Sequence, residues 1–103
     1  MINKHLERMI KLDKEELIDE IKYPMKLEYY ITESEIEEQD ELRGIKAYGI
    51  EIVKLTGGLE VERELVRNYC CNENTARNTI CLLADNSVTP SGLHLVLDNL
   101  IGV

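Results

Sequence analysis

Residues 44–55, GIKAYGIEIVKL, constrain the fold more than any other part of the chain, because apolar side chains occur on both sides of the segment. One side carries Tyr48, Ile50 and Ile52, and the other carries Ile45, Ala47, Val53 and Leu55. A segment that is apolar on both sides is typical of a central strand. Gly49 has no side chain to pack, so it predicts a β-bulge or the close approach of another element.

The segments before and after this strand predict two antiparallel neighbours. Residues 26–37 begin with an alternation of Leu27, Tyr29 and Ile31 with polar residues, and residues 59–68 alternate apolar residues with glutamates. Gly57 and Gly58 precede the second of these segments and accept the positive φ angles of a tight hairpin turn. The three segments together predict a three-stranded antiparallel meander.

The apolar period changes to that of a helix after Cys71. Asn72 or Asn74 is expected to cap a first helix that ends near Asn86, and Thr89 is expected to cap a second helix with Pro90 at its first position. The apolar stripes are Ala76, Ile80, Leu83 and Ala84 in the first helix, and Leu93, Val96, Leu97, Leu100 and Ile101 in the second. Two short helices joined by a few residues are expected to cover one face of the meander.

The N-terminal residues predict a further helical segment. Leu6, Met9 and Ile10 recur at helical spacing, and Asp13 with Glu16 resembles a capping box. We therefore expect a helical segment at residues 1–23 and a single α+β domain at residues 24–103. The helical segment would cover the second face of the sheet or pack against a partner.

Composition excludes several classes of partner. The formal net charge of −8 repels phosphate backbones and anionic membrane surfaces. No apolar run approaches the roughly 18 residues of a membrane span, and the first residues are too charged for a signal peptide. Three cysteines, an odd number, do not form a disulfide framework. These features predict a cytoplasmic protein that binds neither nucleic acid nor a membrane.

Motifs for catalysis, metal ions or cofactors do not occur in the sequence. Its cysteines and histidines lack the C-x₂-C spacing of a zinc site, and neither a G-x-S-x-G motif nor a phosphate-binding glycine loop is present. We expect a non-catalytic protein without a cofactor or a metal. The alternative is a thiol-based redox sensor or small enzyme that uses Cys70 and Cys71, which requires a neighbour that promotes the thiolate.

Carboxylates concentrate between the first two predicted strands, where the candidate interaction residues are Glu35, Glu37, Glu38, Asp40 and Glu41. Such a cluster keeps a hairpin soluble, or it docks a basic protein, including a nucleic-acid-binding protein that it inhibits as an acidic mimic. Leu6, Met9 and Ile10 form a second candidate surface, and open edge strands permit a homodimer. The sequence favours a small acidic interaction or regulatory module whose partner is another protein.

Several of these stretches also carry a resemblance. YGIEI in the central strand, the following helix, the link N-S-V-T-P and the leucine-rich last helix resemble a family of small cytosolic proteins from Gram-positive spore-formers. The similarity covers about residues 26–101. It implies the strand and the helices, and no activity or functional residue is assigned in that family.

Overall fold

Four strands form one antiparallel sheet in which neighbours in the chain are neighbours in the sheet. The computed structural model describes residues 3–12, 25–35, 45–57 and 59–101. The strands are β1 (Asn3–Leu12), β2 (Met25–Glu35), β3 (Lys46–Thr56) and β4 (Leu59–Cys70), in the order β1-β2-β3-β4. Two helices follow, α1 (Glu73–Asp85) and α2 (Leu93–Ile101), and a short 3₁₀ turn at Pro90–Gly92 precedes α2.

The predicted three-stranded sheet with an N-terminal helical segment is wrong. Residues 3–12 form the edge strand β1, which pairs with β2 from Asn3 opposite Glu33 to Leu12 opposite Met25. The physical reason is a bulge at Glu7, between the pairs Leu6↔Tyr30 and Arg8↔Tyr29. The extra residue puts Leu6 and Met9 on the same face three positions apart, a spacing that also occurs along a helix. Residues 13–23 of the predicted segment lie outside the described residues.

The core lies between the sheet and the two helices. We call this side of the sheet the helix face; it carries Leu27, Tyr29 and Ile31 of β2 and Ile50 and Ile52 of β3, all buried. From the helices, the buried residues of this core are Ala76, Ile80, Leu83, Ala84, Leu93 and Leu97. The predicted coverage of one face by the two C-terminal helices is therefore confirmed.

Gly49 in β3 allows β4 to approach closely, as its position in the sequence predicts. The pairs Tyr48↔Cys70 and Ile50↔Val66 enclose a bulge of β4 opposite Gly49, and Asn68 within that bulge has a φ of 52°. A Cβ atom at Gly49 would lie 2.4 Å from the carbonyl oxygen of Val66. Only glycine therefore fits this position without displacing the β4 backbone.

Local capping fixes the ends of α1. Asn72 is its N-cap, and the Asn72 side chain accepts a hydrogen bond from the Thr75 backbone N–H at 3.0 Å, as one of the two predicted caps requires. The helix ends at Asp85, next to the expected Asn86, but the residue with positive φ is Ser87, at 51°. Pro90 begins the 3₁₀ turn instead of α2 itself, so the second helix starts three residues later than predicted.

Candidate functional site

A cavity of about 250 Å³ lies on the helix face where β2 ends and β3 begins. Ile31 and Tyr48 form the apolar part of its lining, and His5 lies at its β1 side. Its charged lining consists of Glu7, Glu33, Glu73 and Arg77. The Glu7 bulge and the first turn of α1 thus bring three carboxylates from separate elements around one opening.

Two cations partly neutralise these three carboxylates. Arg77 lies 2.8 Å from Glu73 and 3.7 Å from Glu7, and Lys46 lies 2.8 Å from Glu33. The hydrogen bond to Glu33 raises the pKa of Lys46. The cluster keeps a net negative charge, so it favours a cationic group of a ligand over an anionic one.

The predicted acidic residues fall partly at this cavity. Glu35 is exposed at the end of β2, two residues beyond Glu33 and on the same face of the sheet. The other predicted carboxylates, Glu37, Glu38, Asp40 and Glu41, lie outside the described residues. The cavity itself was missed by sequence reasoning: Glu73 and Arg77 have the i, i+4 spacing of a helical ion pair, but Glu7 joins them only because residues 3–12 are a strand.

The second candidate surface, at Leu6, Met9 and Ile10, is divided between the two faces of the sheet. Leu6 and Met9 lie on the face opposite the helices, where 51% of Leu6 and 44% of Met9 is exposed. Ile10 lies opposite Leu27 on the helix face and packs against the core. Leu6 and Met9 therefore form an accessible apolar pair, whereas Ile10 contributes to the core.

The face opposite the helices carries a partly buried ion pair. Lys4 of β1 lies 2.7 Å from Glu51 of β3, and the Glu51 side chain is only 6% exposed. The Lys4 ammonium also lies 4.4 Å from the centre of the Tyr30 ring. Burial, followed by the hydrogen bond that the Tyr30 hydroxyl donates to Glu28, raises the pKa of Tyr30. Among the described elements, none packs across this face.

The cysteines are free thiols in separate surroundings. The half-buried Cys70 donates through Sγ to the Asn72 carbonyl oxygen at 3.3 Å, and Cys71 is exposed. Cys81 is exposed on α1 beside Arg8, whose pKa is raised by hydrogen bonds to Asp85 and then to Cys81. In the described part of the chain, no group of three His, Cys, Asp or Glu side chains is arranged to hold a metal ion.

The described residues contain no helix that is both long and apolar enough to span a membrane.

A sequence profile described as a family of unknown function (DUF6514) matches residues 8–103. The chain belongs to this family. The DUF6514 match includes β1 from Arg8 onward together with β2, β3, β4 and both helices, and so extends beyond the predicted similarity at residues 26–101. No curated protein and no solved structure matches the chain significantly.

Proposed function

We propose that this DUF6514 protein is a non-catalytic interaction module of the cytoplasm that docks a basic segment of another protein at the acidic cavity. The observation that carries the proposal is the convergence of Glu7, Glu33 and Glu73 around one opening. Exposed free thiols at Cys71 and Cys81 are compatible with a reducing compartment.

The cavity fits a protruding lysine or arginine side chain. At about 250 Å³ it is smaller than the roughly 300 to 1,000 Å³ of pockets that enclose small molecules and cofactors. The aliphatic stem of a basic side chain would pack on Ile31 and Tyr48, and its charged end would reach the carboxylates. Glu35 extends the negative surface beyond the cavity, and the sequence continues with Glu37, Glu38, Asp40 and Glu41. A basic nucleic-acid-binding surface is one class of partner with this chemistry.

The test uses an oligoarginine peptide as the probe and two triple variants with the same change in net charge. The first variant neutralises the cavity, and the second neutralises three glutamates of β4 that also lie beside basic side chains. The substitutions are Glu7→Gln, Glu33→Gln and Glu73→Gln in the cavity, and Glu60→Gln, Glu62→Gln and Glu64→Gln in β4. Binding is measured by calorimetry at low and physiological ionic strength.

We expect the cavity variant to weaken peptide binding at least about tenfold and the β4 variant to weaken it no more than about twofold. Wild-type affinity should fall as salt is added, because the contact is electrostatic. Equal weakening by the two variants would mean that the peptide responds only to net charge, which would contradict the proposal. If the peptide changes the chemical shifts of backbone amides only at sites distant from Glu33 and Arg77, the proposal is contradicted as well.

The predicted acidic stretch is tested separately with a chain in which Gln and Asn replace Glu35, Glu37, Glu38, Asp40 and Glu41. Like charges that repel one another contribute little to stability, so the melting temperature should stay within a few degrees of the wild-type value. Peptide binding should weaken if these residues extend the docking surface. Full affinity in this variant would assign the stretch to solubility and leave the cavity as the docking site.

A further inference from the structure

We infer that two copies of this chain pair antiparallel along β1 and join their sheets into one continuous sheet. β1 is an edge strand of ten residues, and no described strand pairs with its outer side. Backbone N–H and C=O groups on such an edge form a template for another strand. The occupant that fits this template is a second β1, for reasons of symmetry, exposure and charge.

The other edge of the sheet is less suitable. The pairing of β4 with β3 shifts between Tyr48 and Ile50 and again between Lys54 and Leu55, and Asn68 has a positive φ. Each shift interrupts the even spacing of donors and acceptors and twists the strand. A long regular pairing along β4 is therefore prevented, which leaves β1 as the edge that supports one.

The single bulge of β1 lies at its centre and makes the strand symmetric. Leu6 and Met9 stand on the face opposite the helices on either side of Glu7 and Arg8, while His5 and Ile10 stand on the helix face. In an antiparallel pair related by a twofold axis, residues that lie opposite each other must share a face. With the axis between Glu7 and Arg8, every pair satisfies this condition: Leu6 meets Met9 of the second copy, and His5 meets its Ile10. A bulge normally discourages edge pairing, but here it falls on the symmetry axis in both copies.

This register covers the exposed apolar side chains of the strand. Leu6 and Met9 are 51% and 44% exposed, and the contact between Leu6 of one copy and Met9 of the other occurs twice in the symmetric pair. Opposed side chains on one face of an antiparallel pair have Cβ atoms about 5 Å apart, within van der Waals reach of Leu and Met. The pairing thus removes two large apolar side chains per copy from water.

The charges that meet at the contact itself are compatible with the pairing. Each β1 carries three cations and one carboxylate, and in this register Glu7 faces Arg8 of the second copy. Opposite charges that face each other across a strand pair attract. Lys4 faces Lys11 of the second copy in this register, but Lys4 is already bonded to Glu51 at 2.7 Å, which offsets the repulsion.

The test is disulfide trapping in the full chain with Cys70, Cys71 and Cys81 replaced by Ser. Two single variants, Leu6→Cys and Met9→Cys, are oxidised alone and as a mixture. Opposed residues have Cα atoms about 4.5 to 5.5 Å apart, which suits a disulfide, whereas identical positions are about 10 Å apart along the strand. We expect a cross-linked dimer in the mixture and little in either variant alone. Equal cross-linking in all three samples would indicate random collision and overturn the inference.

Light scattering of the unmodified chain provides an independent measurement. We expect a mass of twice 11.9 kDa at the concentration used for cross-linking. Met9→Lys should raise the dimer dissociation constant at least about tenfold, and Leu59→Lys, on the 73% exposed side chain at the start of β4, should leave it unchanged. Both side chains are exposed, so circular dichroism should show each variant folded. A monomeric wild type, or a dimer disrupted only by Leu59→Lys, would overturn the inference.

Discussion

Replacing Gly49 with alanine tests the close approach of β3 and β4. A Cβ at this position would lie 2.4 Å from the Val66 carbonyl oxygen, 2.5 Å from the Thr32 hydroxyl oxygen and 3.2 Å from the Arg67 Cα. Ordinary contacts of a Cβ begin near 3.4 Å, so β4 would have to move away by about 1 Å. Because Gly49 is buried and the nearest atom belongs to the backbone, no side-chain rotation relieves this contact.

The expected loss follows from two opposing effects. Overpacking of this kind typically lowers the free energy of unfolding by about 1 to 3 kcal/mol. Alanine also reduces the conformational entropy of the unfolded chain, which raises the free energy of unfolding by about 0.4 to 1 kcal/mol. A net loss of about 1 to 2 kcal/mol should lower the melting temperature of a domain of this size by roughly 4 to 16 °C. Thermal denaturation followed by circular dichroism, with urea titration for the free energy of unfolding, measures both quantities.

Gly92→Ala is the matched control. A Cβ at Gly92 would meet its nearest atoms at 3.8 and 3.9 Å, so the same substitution should leave stability unchanged or raise it by up to about 1 kcal/mol. In a Thr32→Ala background Gly49→Ala should remain destabilising, because the Val66 carbonyl is still in place. The reasoning is refuted if Gly49→Ala melts within about 2 °C of the wild type, or if it cannot be distinguished from Gly92→Ala.

Three further substitutions test other parts of the fold. Burial raises the pKa of Tyr29 to about 12. The stability that depends on the neutral phenol is therefore fully present below about pH 10 and should decline as the pH rises from about 10 toward 12. In alkaline urea titrations, Tyr29→Phe should lack this part of the decline. Lys4→Ala leaves the Glu51 carboxylate buried without its partner and should cost about 2 kcal/mol, most of which Glu51→Gln in the same chain should restore. Asn72→Ala should cost about 1 kcal/mol in the same titration, whereas Asn74→Ala should cost little, because only Asn72 caps α1.

The sequence is most informative where local chemistry and tertiary packing agree. The segment around Ile50, which is apolar on both sides, is the central strand β3. The missing side chain at Gly49 indicates the bulge that β4 forms opposite this residue. The buried stripe of α1, from Ala76 to Ala84, follows the helical period without exception. In each case the residue pattern that identifies the element is the same pattern that packs against the core.

Prediction fails where a bulge changes the period. One extra residue at Glu7 converts the alternation of β1 into the three-residue spacing of Leu6 and Met9, which sequence reasoning attributes to a helix. The acidic cavity was missed for the same reason, because Glu7 reaches Arg77 only from a strand that pairs with β2. A bulge depends on the partner strand and not on the bulged residues alone, so a single segment does not reveal it.

The order of elements determines when this domain becomes stable during translation. Among the described residues, eleven form the buried core; the helices α1 and α2 contribute six of them, and all six follow β4 in the chain. After Cys70 the ribosome must add 27 residues to reach Leu97, which takes about 1 to 5 s. During this interval the helix face of the sheet, with Leu27 and Ile52, has no cover from α2. A translational pause before Leu93 would lengthen the exposure of this apolar face to chaperones and to other nascent chains.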